Sequence, residues 1–113
     1  MNGRDHPVLP NLTVQQLDYL VAAAGASTFA DAAAQIGVSP SALSQGLAEL
    51  ERRVGVDLFE SEGRRRVLRP QATEVLRYAE RVLAQTADLA RWADAARTGR
   101  SGPLRGGLID VAA

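Results

Sequence analysis

Between Leu12 and Thr98, stretches in which apolar residues return every three or four positions alternate with short stretches in which they do not. Leu17, Leu20, Val21 and Ala24 give the first such face. Thr13 with Gln16 three residues on forms a capping box, and Leu12 can staple to Leu17, so a helix starts at Thr13 and runs to about Ala24, with Gly25 ending it. Phe29, Ala32, Ala33 and Ile36 define a second, short helix that starts after the Thr28 cap, with Asp31 three residues on, and stops at Gly37. Ser39-Pro40 then supplies an N-cap and a proline at the first helical position, and a third helix begins at once. In it Leu43, Leu47, Leu50 and Val54 make one apolar stripe, while Ser41, Ser44, Gln45, Ala48 and Glu49 stay outside.

After Gly55 the period changes. Val56 and Leu58, then Val67 and Leu68, flank Glu60-Ser61-Glu62-Gly63-Arg64-Arg65-Arg66, which predicts two short strands around a glycine-containing turn. Pro70 opens a long helix that reaches Thr98, just before Gly99. Val75, Ala79, Val82, Thr86, Leu89, Ala93 and Ala96 recur along it at alternating spacings of four and three, and Leu76, Leu83 and Ala90 widen the stripe. One small domain cannot cover a face that long. It asks for a second copy of itself, and the many alanines permit close approach; the competing reading is a helix that covers its own domain.

These patterns leave functional alternatives open. A three-residue turn between two short helices is the spacing of a helix-turn-helix, whose second helix lies in a DNA major groove, but it is equally the joint of an ordinary helical hairpin. Arginines at a hairpin tip neutralise phosphates or enter a minor groove, or else form a solvated charged loop.

Composition narrows the field. The 113 residues suffice for one small domain plus an appendage. Cysteine is absent and His6 is the single histidine, so neither a disulfide framework nor a zinc site is expected, and no cofactor is implied. His6 has no nucleophile and orienting acid around it, which argues against an enzyme and leaves no catalytic residue to name. Charge interrupts the apolar stretches and the first ten residues lack a signal-peptide core, so a cytoplasmic protein without a membrane partner is expected. The formal net charge of zero counts against nucleic-acid binding, and distribution must carry that case: Arg64, Arg65, Arg66 and Arg69 cluster behind Gly63.

Between Leu12 and about Leu83 the chain resembles the N-terminal DNA-binding domain of LysR-type transcriptional regulators, through Gln15 to Ala24, Thr28 to Ser39 and above all Leu43 to Phe59. In that last phrase Leu50-Glu51, Val54-Gly55 and Leu58-Phe59 mark the exit of a recognition helix into a wing. The resemblance implies a mainly α fold, a winged helix-turn-helix of three helices plus a two-stranded wing, followed by a long dimerisation helix. It divides the chain into an N-terminal tail (1–11), the winged domain (12–69), a linker helix (70–98) and a hinge with the first strand of an effector-binding domain (99–113). It also implies that the pocket sensing a small inducer is absent from this chain. The expected function is sequence-specific binding of double-stranded DNA, as a homodimer on an interrupted palindrome; the alternative is a dimerising interaction module whose helix-turn-helix binds DNA weakly.

The candidate DNA contacts are Thr28, Ser39, Ser41, Ala42, Ser44, Gln45, Arg52, Arg53, Arg64, Arg65 and Arg66. The candidate dimer face is Val75, Leu76, Ala79, Val82, Leu83, Thr86, Leu89, Ala90 and Ala93. Several positions depart from the resembled pattern. The recognition helix has no cation before Arg52, so base readout falls to Gln45 and the serines. Pro40-Ser41 stands where Gln-Pro is common, Asp31 where a base is common, Ser61 where an arginine usually follows Leu-Phe-Glu, and Arg69-Pro70 in place of a leucine-threonine helix entry. Gly46 inside the helix costs about 1 kcal/mol relative to alanine, and close approach to a DNA backbone is one reason it could be there.

Overall fold

A computed structural model describes residues 11–63 and 65–99, and within them the chain forms α1 (Val14–Gly25), α2 (Phe29–Ile36), α3 (Pro40–Val54), β1 (Phe59–Glu62), β2 (Arg65–Leu68) and α4 (Ala72–Thr98). This is the winged helix-turn-helix of three helices and a two-stranded antiparallel wing, followed by a long helix. Residues 1–10 of the expected tail (1–11), residues 100–113 of the expected hinge and strand (99–113), and Arg64 lie outside the described residues.

The helix starts follow local chemistry. Thr13 Oγ1 accepts from the Gln16 amide at 3.1 Å while Gln16 Oε1 accepts from the Thr13 amide at 3.2 Å, closing the capping box. Thr28 Oγ1 accepts from the Asp31 amide and Ser39 Oγ from the Ala42 amide, each at 3.0 Å. Gly37, at φ 74°, ends α2 in the left-handed conformation, and the Val38 amide reaches back to the Ala33 carbonyl at 3.0 Å. Three residues, Gly37 to Ser39, thus separate α2 from α3.

Four boundaries differ from expectation. Gly25 belongs to the last turn of α1, with Ala26 as an extended C-cap, so no left-handed glycine ends that helix. β1 begins later than expected and β2 earlier, so both run into the charged segment, pairing Phe59 with Leu68, Glu60 with Val67, Ser61 with Arg66 and Glu62 with Arg65. Gly63 takes φ 66°, so a tight turn closes the hairpin and draws Glu60 to Glu62 and Arg65 to Arg66 into the ladder. Pro70 and Gln71 form a turn, with the Ala72 amide bonded to the Arg69 carbonyl at 2.9 Å, and α4 starts at Ala72.

The core gathers Leu17, Tyr19, Leu20 and Ala23 of α1, Ala32 and Ala33 of α2, Leu43, Leu47 and Leu50 of α3, Leu58, Phe59, and Ala72 and Ala79 of α4. Val21 and Ala24, expected on the buried face of α1, are half-buried, and Tyr19 takes their place in the interior. Gly46 explains the exchange. A Cβ on Gly46 would lie 2.5 Å from Tyr19 Cδ2 and 2.6 Å from Cε2, so the missing side chain is the space that the tyrosine ring occupies. The suggestion that DNA needs that space gives way to internal packing.

The chain divides between Val82 and Leu83 into two units. In the first, Val75, Leu76 and Ala79 of α4 pack into the domain's own core. In the second, Leu83 and Ala95 are half-buried and the other residues from 84 to 99 are exposed. Among the described residues, no helix is long and apolar enough to cross a membrane.

Candidate nucleic-acid interface

The inner stripe of α3 is committed to the interior: Leu43, Leu47 and Leu50 are among the largest wholly buried side chains of the described residues. At about 1.5–3 kcal/mol per buried leucine this fixes which way the helix is turned. Ser41, Gln45, Ala48 and Arg52, at spacings of four, three and four, are all exposed. Ala42 and Ser44 flank that outer stripe and are half-buried. Thr28 and Ser39 are exposed at the starts of α2 and α3. Each hydroxyl spends an acceptor site on its cap and keeps its proton for donation to an external oxygen.

Strand alternation separates the wing arginines, which the sequence presents as one cluster. Phe59 and Ser61 share a face with their cross-strand partners Leu68 and Arg66, whereas Glu60, Glu62, Val67 and Arg65 share the other. Accordingly the Arg66 guanidinium lies over the Phe29 ring, 4.9 Å from its centroid, and Phe29 meets Phe59 edge-on at 5.1 Å and 87°. The wing is thereby held against the first residue of α2. Arg65 is exposed on the opposite face and forms no ion pair among the described residues.

The base of the wing is fixed by a residue that sequence reasoning quoted but gave no role. Glu51 Oε2 accepts from the Leu58 amide at 2.8 Å and the Phe59 amide at 3.3 Å, so the last turns of α3 set the start of β1. Its donors lie seven and eight residues on, across a turn, where no helical or strand period reports them. Arg69 supports the same region, its Nη1 3.2 Å from Glu60 Oε1 and its amide 2.8 Å from the Leu58 carbonyl.

The two arginines near the end of α3 have different surroundings. Both donate to Glu49 Oε2, Arg52 through Nη2 and Arg53 through Nε. Arg53 also donates from Nη1 to the Asn11 carbonyl at 2.6 Å. The Arg52 hydrogen bond, opposed by desolvation and helped by Arg53, holds the Glu49 carboxyl below its ordinary range, and the same pairing raises the Arg52 guanidinium above its own.

Residues 14–74 match the model of the family described as bacterial regulatory helix-turn-helix protein, lysR family. A probable hydrogen peroxide-inducible genes activator from Mycobacterium avium is 42% identical over 96 residues, covering 85% of this chain. This chain spans 30% of the length of that curated relative. Among solved structures, an OxyR mutant from Corynebacterium glutamicum superimposes with a TM-score of 0.72 at 30% identity, over 80% of this chain and 29% of that one. A CbnR_DBD–DNA complex gives a TM-score of 0.69 at 29% identity, over 76% of this chain and 99% of that one. The family match takes in α1, the α2–α3 pair, the wing and the opening of α4, more than half of the sequence, and the chain belongs to the lysR family of bacterial regulatory helix-turn-helix proteins.

Proposed function

We propose that this chain binds double-stranded DNA sequence-selectively, as the DNA-reading part of a transcriptional regulator, and is not an enzyme. The observation that carries this reading is the outer stripe of α3. Ser41, Gln45, Ala48 and Arg52 are exposed while the opposite stripe is wholly buried, so the helix offers a polar edge fixed in orientation by its core. The CbnR_DBD–DNA complex, a structural relative, supports it.

In this reading α3 enters the major groove. Gln45 pairs with adenine, Ser41 and Ser44 add less discriminating contacts, and Ala42 faces a thymine methyl. Thr28, Ser39 and Arg52 bind phosphates, and Arg53 holds the frame through Glu49 and Asn11. Arg64, Arg65 and Arg66 neutralise backbone or reach the minor groove. The protein acts in the cytoplasm, as a homodimer on an interrupted palindrome. Its dimer face along α4 includes Val82, Thr86, Leu89, Ala90 and Ala93, with Leu83 at the edge. Val75, Leu76 and Ala79 pack into the core of the first unit.

Electrophoretic mobility shift against genomic fragments over a range of salt tests the proposal. Affinity should fall steeply, log K against log salt having a slope of about −0.9 per neutralised phosphate. Gln45→Ala should lose about 1–3 kcal/mol of discrimination at one base pair per half-site while non-specific binding stays nearly unchanged. Retention of the full sequence preference by that variant would move readout to DNA shape. A second reading, a dimerising interaction module with weak DNA affinity, is favoured by the zero net charge and predicts no salt-sensitive shift.

A further inference from the structure

Glu49 is one acid between two cations that differ in their freedom. Arg53 is 28% exposed in its side chain and tied twice, to Glu49 and to the Asn11 carbonyl forty-two residues away in sequence. Arg52 is 67% exposed, and its pairing with Glu49 is the one hydrogen bond its guanidinium makes among the described residues. An exposed pair at that spacing is weak, because both charges stay hydrated and the long side chain loses rotamer freedom to hold it. Arg52 also stands on the outer stripe with Ser41, Gln45 and Ala48, so it is the cation of α3 that can leave Glu49 without exposing core.

We propose that Glu49 is a positioning residue that parks Arg52 on the helix surface, and that Arg52 exchanges from Glu49 to a DNA phosphate on binding while Arg53 keeps Glu49 neutralised. This rests on the DNA-binding reading above. The exchange acts as a brake. Part of what Arg52 gains on a phosphate is offset by the carboxylate it abandons, so the chain holds DNA of any sequence less tightly than its arginine count suggests. A fixed, hydrogen-bonded Arg53 is what makes the exchange affordable, since Glu49 is never left as a bare anion facing the phosphates.

A double-mutant cycle with a short random-sequence duplex tests this. Glu49→Gln keeps an acceptor for Arg53 but loses the charge that holds Arg52, and Glu49→Ala serves should the glutamine variant lose its helical circular dichroism. Relative to wild type, Glu49→Gln should bind roughly two- to fivefold tighter. Arg52→Ala should bind more weakly, with a salt slope shallower by about 0.9, as for one lost phosphate contact. The double variant should match Arg52→Ala. Were Glu49→Gln no tighter than wild type, or were it to gain as much in the Arg52→Ala background, Glu49 would not act through Arg52. A wild-type chain with no salt-dependent duplex binding overturns the DNA reading itself, and the proposal with it.

Discussion

Gly46 and Tyr19 illustrate how one residue's identity is set by another far along the chain. Glycine in a helix interior costs about 1 kcal/mol against alanine, so on propensity alone Gly46→Ala should stabilise α3. The Tyr19 ring lies where the new methyl would go, at 2.5 Å, and the ring is buried. Overpacking of this kind costs about 1–3 kcal/mol. Gly46→Ala should therefore lower the melting temperature, and adding Tyr19→Leu should recover part of the loss; a stabilised single variant would mean the ring moves freely. No period in the sequence could announce this pair, because a helical pattern reports which side a residue faces and says nothing of what stands opposite. Glu49 gives a second measurable case. Its folded carboxyl titrates below the ordinary 4.5 because Arg52 donates to it. A depressed carboxylate contributes stability that is fully present above its unfolded value and lost as pH falls through the folded one. The melting difference between wild type and Glu49→Gln should hold steady at neutral pH and shrink below 4.5, and carboxyl NMR should show the Glu49 midpoint rise in Arg52→Ala.

Among the elements, the helices were legible because their signals are local. The Thr13, Thr28 and Ser39 caps each act on an amide three residues ahead, and the apolar stripe of α3 matches its buried side residue for residue as far as Leu50. The wing was legible as a hairpin but misplaced, since a charged ladder gives no apolar alternation and Gly63 alone marks the turn. That shift matters for function. With the strands in their observed register, Arg65 and Arg66 face opposite ways, so these two arginines do not share one face of the wing. Arg65→Ala should flatten the salt dependence by about 0.9 with stability unchanged. Arg66→Ala should weaken binding and also cost about 0.5–1 kcal/mol of folding stability, because it removes the cation over Phe29. Equal thermal melts for the two variants would show that the Phe29 contact does not anchor the wing. Glu51 supports the same arm from its base, so the wing is held by α3 at one end and by α2 at the other.

For the whole molecule, the sequence drew one apolar stripe along α4 that the structure divides by burial into two stretches. Val75, Leu76 and Ala79 belong to the core of the first unit, whereas Val82 is 39% and Leu89 63% exposed. Tyr78 and Trp92, which the four-and-three pattern omitted, are 58% and 57% exposed. Tyr78, Val82, Leu89 and Trp92 follow one another at spacings of four, seven and three, the recurrence of a helix seam. Large apolar side chains at such spacings, in water, favour a partner, and a second copy of α4 offers the same residues by symmetry. Val82→Glu with Leu89→Glu would bury unpaired carboxylates in each subunit at a cost of several kcal/mol, more than a modest helix pair can offset. The double variant should sediment as a monomer at concentrations where wild type is a dimer, keep the helical signal of α1 to α3, and lose tight binding because two half-sites can no longer be gripped together. Single Trp92→Ser should weaken the dimer in the same direction, and tryptophan fluorescence of wild type should shift to the blue as concentration rises. A wild type that stays monomeric at micromolar concentration, or a double variant that still dimerises, would assign the exposed side of α4 to something other than a second copy of itself.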